Sequence, residues 1–310
     1  MSEEIAHPHN NLVQVVMSDL AEARSFLQSY LPQELSQGLN WSTLKLREGS
    51  FIDEDLRGSE TDLLYEVEPI SGDASLWAYV LLEHQSAPDR WMRFRLLKYC
   101  CRIWDMSFQE HPDQRQLRPI IPLVFYQGER SWSCSTEFAD LCAESVRDWP
   151  WVVRFCHGLI DQSTMQPDEV QGELKAQLMQ LVMMAAYHPN LAWMERVARL
   201  LGSLSSLGPS GGMNYVRLFV LYILATQEPE TAQSFRDVLR QYAPEVGDDV
   251  MTYAQELFAQ GEEKGTLKTQ VAMIEGFLQE GVEWSVIERA TGVNEAQFQA
   301  LKQQLNDMAE

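Results

Sequence analysis

The chain predicts an α/β or α+β fold, and three observations carry that reading. Short strand-like runs at residues 44–46, 62–68 and 76–83 follow an amphipathic N-terminal helix. A second helical pattern, residues 88–109, separates them from further strand-like runs at 120–126 and 151–160. Beyond Asp168 the strand signals stop and every remaining pattern is helical.

The elements follow in chain order. Leu12, Val15, Val16, Leu20, Ala23 and Leu27 recur at helical spacing over residues 10–31, and Pro32 ends that run. The runs at 62–68 and 76–83 flank Pro69, Ser71, Gly72 and Asp73, a cluster of turn formers, so they read as one antiparallel hairpin. Pro88 and Asp89 suit the first turn of the next helix. Trp91, Phe94, Cys101 and Trp104 look like its core face, while Arg95, Lys98 and Arg102 line another. Helices are then expected over 169–187, 191–204, 214–226 and 231–242, with the Ser/Gly-rich 203–212 as a flexible connection. The division predicted is a core over residues 1–165, a helical extension over 166–245, a helical linker over 246–270 and a small three-helix module over 271–310.

Composition bounds the function. With 45% hydrophobic and 10% aromatic residues, the 310-residue chain is globular. The start Met1-Ser2-Glu3-Glu4 lacks the basic and apolar regions of a signal peptide, and five cysteines without CxxC spacing fit a reducing compartment, so a cytoplasmic location is expected. No P-loop, Rossmann fingerprint, zinc spacing or Ser-His-Asp arrangement is present. The net charge of −21 opposes long-range attraction to nucleic acid. Bases nevertheless crowd residues 90–102, where Arg90, Arg93, Arg95, Lys98 and Arg102 meet little acid. A solvated helix surface accounts for that face as readily as a phosphate contact does.

The hairpin brings chemistry together. In antiparallel pairing the start of the first strand lies beside the end of the second, so Asp62 meets Glu83, with Gln85 on the face of Glu83. Two converging carboxylates at a strand end can hold Mg²⁺, a hard cation that takes oxygen ligands. A strand-end acid and a solvated loop acid are the plainer alternative.

The pattern Asp62…Glu83-x-Gln85 resembles the PD-(D/E)XK phosphodiesterase core, with Gln85 in the place of the usual Lys. The lead-in Gly49-Ser50-Phe51-Ile52-Asp53-Glu54-Asp55-Leu56-Arg57, the segment Leu82-Glu83-His84-Gln85-Ser86 before a basic helix, and Ile121-Pro122-Leu123-Val124-Phe125-Tyr126-Gln127-Gly128 are similar to the recombination-promoting nuclease (Rpn), or YhgA-like, family. The resemblance spans about residues 9–290. It implies an α/β fold with a mixed sheet flanked by helices, an all-helical C-terminal extension, and Mg²⁺-dependent endonuclease cleavage of DNA linked to recombination, mobile elements or phage defence. Asp62, Glu83 and Gln85 become the catalytic residues, Asp62 and Glu83 the metal ligands, and Arg90, Arg93 and Lys98 the nucleic-acid contacts.

Departures from the family pattern support a rival reading, a catalytically weak member acting as a binding or regulatory subunit. Gln85 can orient water but brings no positive charge. Asn10 stands where the family carries Asp, and Val13-Gln14 where it carries Phe-Lys. The run Val286 to Val293 resembles the turn of a helix-turn-helix unit. Its last helix is poor in bases, which favours a module for self-association, as in a homo-oligomer, or for partner contact over a DNA reader.

Overall fold

A computed structural model describes residues 8–47, 62–70, 78–187, 189–207, 214–246 and 293–307, with isolated positions between 271 and 288. The chain divides into a unit spanning His7–Gly247 and a second containing residues 248–310. The expected core and helical extension thus lie in one unit.

That unit is built on a five-stranded mixed sheet: β1 (Leu39–Leu46), β2 (Asp62–Pro69), β3 (Ala78–Gln85), β4 (Ile120–Tyr126) and β5 (Gly158–Asp161), neighbours in chain order. β1, β2 and β3 pair antiparallel, whereas β3, β4 and β5 pair parallel. A parallel step needs a crossover, and α4 (Met92–Glu110) supplies it between β3 and β4.

Helices cover both faces. On one, Met92, Leu96, Tyr99 and Ile103 of α4 pack with Leu64, Val124 and Tyr126 of the sheet. On the other, Phe26 of α2 (Leu20–Tyr30) meets Phe125 edge-on at 5.3 Å, and the Tyr65 hydroxyl donates to the Met17 carbonyl at 2.6 Å. α5 (Leu174–Ala185) joins this second layer, α6 (Leu191–Ser205) and α7 (Asn214–Thr226) pack on α5, and α8 (Pro229–Tyr242) packs on α6 and α7. A polar clasp ties α2 to α5. The Glu22 carboxylate accepts from the Ala176 amide at 2.9 Å, capping the first turn of α5, and Lys175 pairs with Asp19 at 2.7 Å. Burial pushes the Glu22 carboxyl above its usual range.

Four expectations are corrected. The N-terminal helix is two, α1 (Pro8–Met17) and α2, because Asp19 leaves the helical conformation and its side chain caps the Ala21 amide at 3.0 Å; a short α3 (Gln33–Gln37) follows them. Val15 is exposed, and Leu12, Val13, Val16 and Met17 form the buried stripe. The aromatic face of α4 points outward: Trp91 and Phe94 are 56% and 46% exposed, and Cys101 is exposed too. Cys100 alone of the two adjacent cysteines is buried, and burial raises its thiol to about 12. Finally, the strand expected over 151–160 begins only at Gly158, and Trp151 is 86% exposed.

In the second unit, Val271, Ile274 and Phe298 make a small apolar centre on which Leu278, Trp284, Val293 and Leu301 pack. Lys302 of α9 (Glu295–Asp307, an element of that unit) pairs with Glu275 at 2.7 Å. The expected helix-turn-helix turn, the hairpin turn after Ile70 and the lead-in at 49–57 lie outside the described residues. No helix among the described residues is long and apolar enough to cross a membrane.

Candidate nuclease site

The β2–β3 ladder sets Asp62 directly opposite Glu83, with Leu63 opposite Leu82 and Leu64 opposite Leu81. Directly opposed residues of an antiparallel pair lie about 4.5–5.5 Å apart. Strand alternation then assigns positions. Leu64, Val124 and Tyr126 pack against α4, and in register Glu83 pairs with Val124 and Gln85 with Tyr126. Positions 62, 83 and 85 therefore fall on the α4 face of the sheet. The side chains of Asp62, Glu83 and Asn10 lie outside the described residues.

His84 falls on the opposite face, is 3% exposed and sits 5.7 Å from the Phe125 ring. It is a packing histidine, as strand alternation predicts. Its backbone carbonyl accepts from the half-buried Gln85 amide at 2.8 Å, so Gln85 is folded back along its own strand end. Among the described residues no group of three or more His, Cys, Asp or Glu side chains could hold a metal ion. Two carboxylates in direct register and a nearby backbone carbonyl are an all-oxygen donor set that fits Mg²⁺, which keeps several of its waters.

The three cations assigned to nucleic acid separate. Arg90 and Lys98 are exposed, each beside an aromatic ring: Arg90 lies 5.7 Å from the Trp91 ring centre and Lys98 5.9 Å from that of Phe94. Arg93 turns inward. It is 4% exposed and its guanidinium donates to the Ser135 carbonyl, so it braces the loop before β5 and offers no surface to a phosphate. Arg95 pairs with Asp89 at 3.3 Å. The outward stripe of α4 thus alternates aromatic and basic side chains.

A cleft opens at the same edge of the sheet, where β4 and β5 end. Its walls include Gln127, Gly128, Gln162, Met165, Tyr187 and Trp193. The Gln127 amide donates to the Gln85 carbonyl at 2.9 Å, so the cleft wall and the end of β3 share backbone. A Cβ at Gly128 would stand 2.7 Å from the Ser86 carbonyl, which only glycine permits. Sequence reasoning named Gln127 and Gly128 only as part of the family motif and gave none of these residues a role. A glycine straight after an apolar strand was the available signal for Gly128; Gln162 had none.

A mixed five-stranded sheet between helical layers, with two acids in register where β2 begins and β3 ends, defines an α/β protein with a candidate acidic site at one sheet edge. Comparison with known sequences then places it. The family described as "Putative transposase, YhgA-like" matches residues 7–208, and this chain belongs to that family. It is 30% identical over 304 residues to the Escherichia coli K12 protein named "Recombination-promoting nuclease RpnA", covering 96% of this chain and 97% of that one. It is 29% identical over 259 residues to "Recombination-promoting nuclease RpnD" of Escherichia coli O157:H7, covering 81% and 94%. A third relative, from Escherichia coli K12, is named "Inactive recombination-promoting nuclease-like protein RpnE" and is 27% identical over 303 residues, covering 93% and 95%. No solved structure matches the chain.

Proposed function

We propose that this protein is a divalent-metal-dependent DNA endonuclease on a PD-(D/E)XK-type core, hydrolysing phosphodiester bonds in the service of DNA recombination, mobile elements or phage defence. The observation that carries the reading is the register of Asp62 opposite Glu83. Relatives named recombination-promoting nucleases, alike over nearly the whole chain, support it.

In this mechanism Asp62 and Glu83 would hold Mg²⁺, with the His84 carbonyl as a further oxygen. The bound ion would lower the pKa of a coordinated water and offset charge on the attacked phosphate. Gln85 swings from the His84 carbonyl to orient the attacking water. Its amide does so without charge, and Arg90 and Lys98, on the outward side of the α4 segment, contact phosphates flanking the cut and not the reacting one. Trp91 and Phe94, exposed between those cations, offer flat faces for unpaired bases. Arg93 keeps a structural role.

A second reading has its own support. A catalytically weak chain that binds DNA or regulates an active relative would fit the missing lysine and the net charge of −21, and one relative of similar length carries the name inactive. One assay separates the two: nicking of supercoiled plasmid by purified protein with Mg²⁺ and with EDTA. Cleavage that EDTA stops supports the nuclease. DNA binding without cleavage over Mg²⁺ and Mn²⁺ concentrations supports the rival.

A further inference from the structure

Two tryptophans stand clear of the surface in the segment between β4 and β5. Trp149 is 56% and Trp151 86% exposed, and Val153 beside them is exposed too. Tryptophan is highly buried on average in folded proteins, so two in one exposed turn mark a contact surface. The turn is held firmly. The Trp149 amide donates to the Val146 carbonyl at 3.0 Å, and the Val152 amide donates to the Trp149 carbonyl at 3.1 Å. The second bond closes a β-turn with Pro150 at its second position, where the proline ring presets the backbone. Arg147, on the approach to the turn, pairs with Asp140 at 2.8 Å. Rings carried on a backbone fixed in this way lose little freedom on binding.

The root of the segment places it. Across its base the Phe138 amide donates to the Phe155 carbonyl at 2.8 Å. Phe155 and Trp132 pack on the cluster that Met92 and Leu96 of α4 make with the sheet. Arg93, in the first turn of α4, donates to the Ser135 carbonyl. That start of α4 also carries Trp91 and Phe94 outward, and positions 62, 83 and 85 fall on the α4 face of the sheet. Two sets of exposed rings are thus rooted at the start of one helix, on the side of the sheet that carries the acid pair.

Charge selects the occupant. The net charge is −21, and the turn adds no free cation, because Arg147 is paired and Arg154 lies 3.7 Å from Asp148. Duplex DNA hides its base faces in the stack and is held mainly through its phosphates. An unpaired strand offers those faces, and each base stacked on an aromatic ring is worth roughly fivefold to a hundredfold in affinity. A surface rich in exposed rings and poor in cations is matched to the unpaired strand. We propose that the Trp149–Trp151 turn stacks bases of an unpaired DNA strand, together with Trp91 and Phe94, so that the substrate is DNA that is single-stranded or opened beside the cut. The inference rests on the nuclease reading for naming DNA as the ligand and on the exposed rings for the state of that DNA.

The test is fluorescence anisotropy of the full chain in EDTA, where no metal-dependent cleavage interferes. Three labelled probes of equal length are compared: a single strand, its duplex, and a strand with abasic sites in place of its bases, which keeps the phosphates and loses the stacking. We expect the intact single strand to bind at least about tenfold more tightly than either of the others. Trp151→Ala should weaken single-strand binding by roughly fivefold to a hundredfold and leave duplex binding unchanged, while Trp151→Phe, which keeps a ring, should recover most of the loss. The exposed position leaves the fold intact in both variants, which circular dichroism would check. Equal affinity for single strand and duplex, abasic strand bound as tightly as intact strand, or unchanged single-strand binding in Trp151→Ala would overturn the proposal. A dimer that Trp151→Ala dissociates, seen by sedimentation with single-strand binding unchanged, would overturn it and assign the turn to a second copy of the chain. The nuclease reading fails separately. Single-strand preference in EDTA with no cleavage under any divalent ion would overturn that reading while the stacking stood, and metal-dependent cleavage with equal binding of strand and duplex would overturn the stacking alone.

Discussion

Gly128→Ala tests whether the end of β3 and the cleft are one mechanical unit. A Cβ at this position would stand 2.7 Å from the Ser86 carbonyl and would also strike the Tyr126 hydroxyl. Ordinary contact begins near 3.4 Å, so the backbone after Gln85 must move by about 0.7 Å. The Tyr126 hydroxyl must leave the Arg130 carbonyl to which it donates. Overpacking of this kind costs about 1–3 kcal/mol, and the broken hydrogen bond about 0.5–1.5 kcal/mol. The expected destabilisation is therefore about 2–4 kcal/mol, or roughly 5–10 °C in Tm for a unit of this size. Because Ser86 directly follows Gln85, the same displacement reaches the proposed catalytic strand end. A misplacement of about 1 Å costs on the order of 10² in rate. Urea melts followed by circular dichroism would give the first number, and plasmid nicking well below the melting range the second. A variant within about 0.5 kcal/mol of wild type that cuts at the wild-type rate would refute the contact and the coupling together.

Other predictions concern charge. Lys98→Ala with Arg90→Ala should weaken DNA binding and flatten its salt dependence, by about one unit of log–log slope for each phosphate no longer neutralised; fluorescence anisotropy across a salt series would read it. Arg93→Met should instead lower stability by about 1.5–3 kcal/mol in a urea melt, since it removes a buried charged donor from the Ser135 carbonyl, while the salt slope stays at its wild-type value. Glu22→Gln keeps an acceptor for the Ala176 amide but removes a buried charge whose pKa is raised by desolvation. A raised carboxyl pKa makes the folded state bind more protons than the unfolded, so wild-type stability falls as pH rises from the ordinary glutamate value of 4.5 through the folded pKa. The variant should therefore gain on wild type at neutral pH and lose that gain on acidification through the same window, measured by urea melts at several pH values.

The acid pair was legible because hairpin geometry follows from local signals. Two apolar runs flank turn formers, so the partner of Asp62 follows from counting back along the ladder, and the structure pairs it with Glu83. The strand limits of β4 were equally legible, since the β-branched and aromatic run of Ile120–Tyr126 stops at Gln127-Gly128. The faces of α4 were not. Trp91, Phe94 and Cys101 repeat at the same spacing as Met92, Leu96, Tyr99 and Ile103, so periodicity offered two apolar stripes and could not choose between them. The sheet chose the second, with Leu64, Val124 and Tyr126, and left the aromatics beside Arg90 and Lys98. Arg93 went inward because the Ser135 carbonyl, 42 residues away, accepts from it. The break between α1 and α2 was hidden by an apolar pattern that continues through Asp19, where a cap outweighed the pattern. The cleft was illegible for the same kind of reason: Gln162 and Gln180 become one network only when α5 folds over the ends of β4 and β5.

The central claim is that the carboxylates opposed at the β2–β3 strand end hold the metal that cuts DNA. Mg²⁺-dependent nicking of supercoiled plasmid by wild type, Asp62→Asn and Glu83→Gln, each first checked for a native circular dichroism melt, tests it most directly. Each substitution removes one metal-binding charge and keeps the side-chain shape. The account predicts cleavage by wild type that EDTA abolishes and none above background by either variant. A folded variant of either kind cutting at the wild-type rate would contradict it.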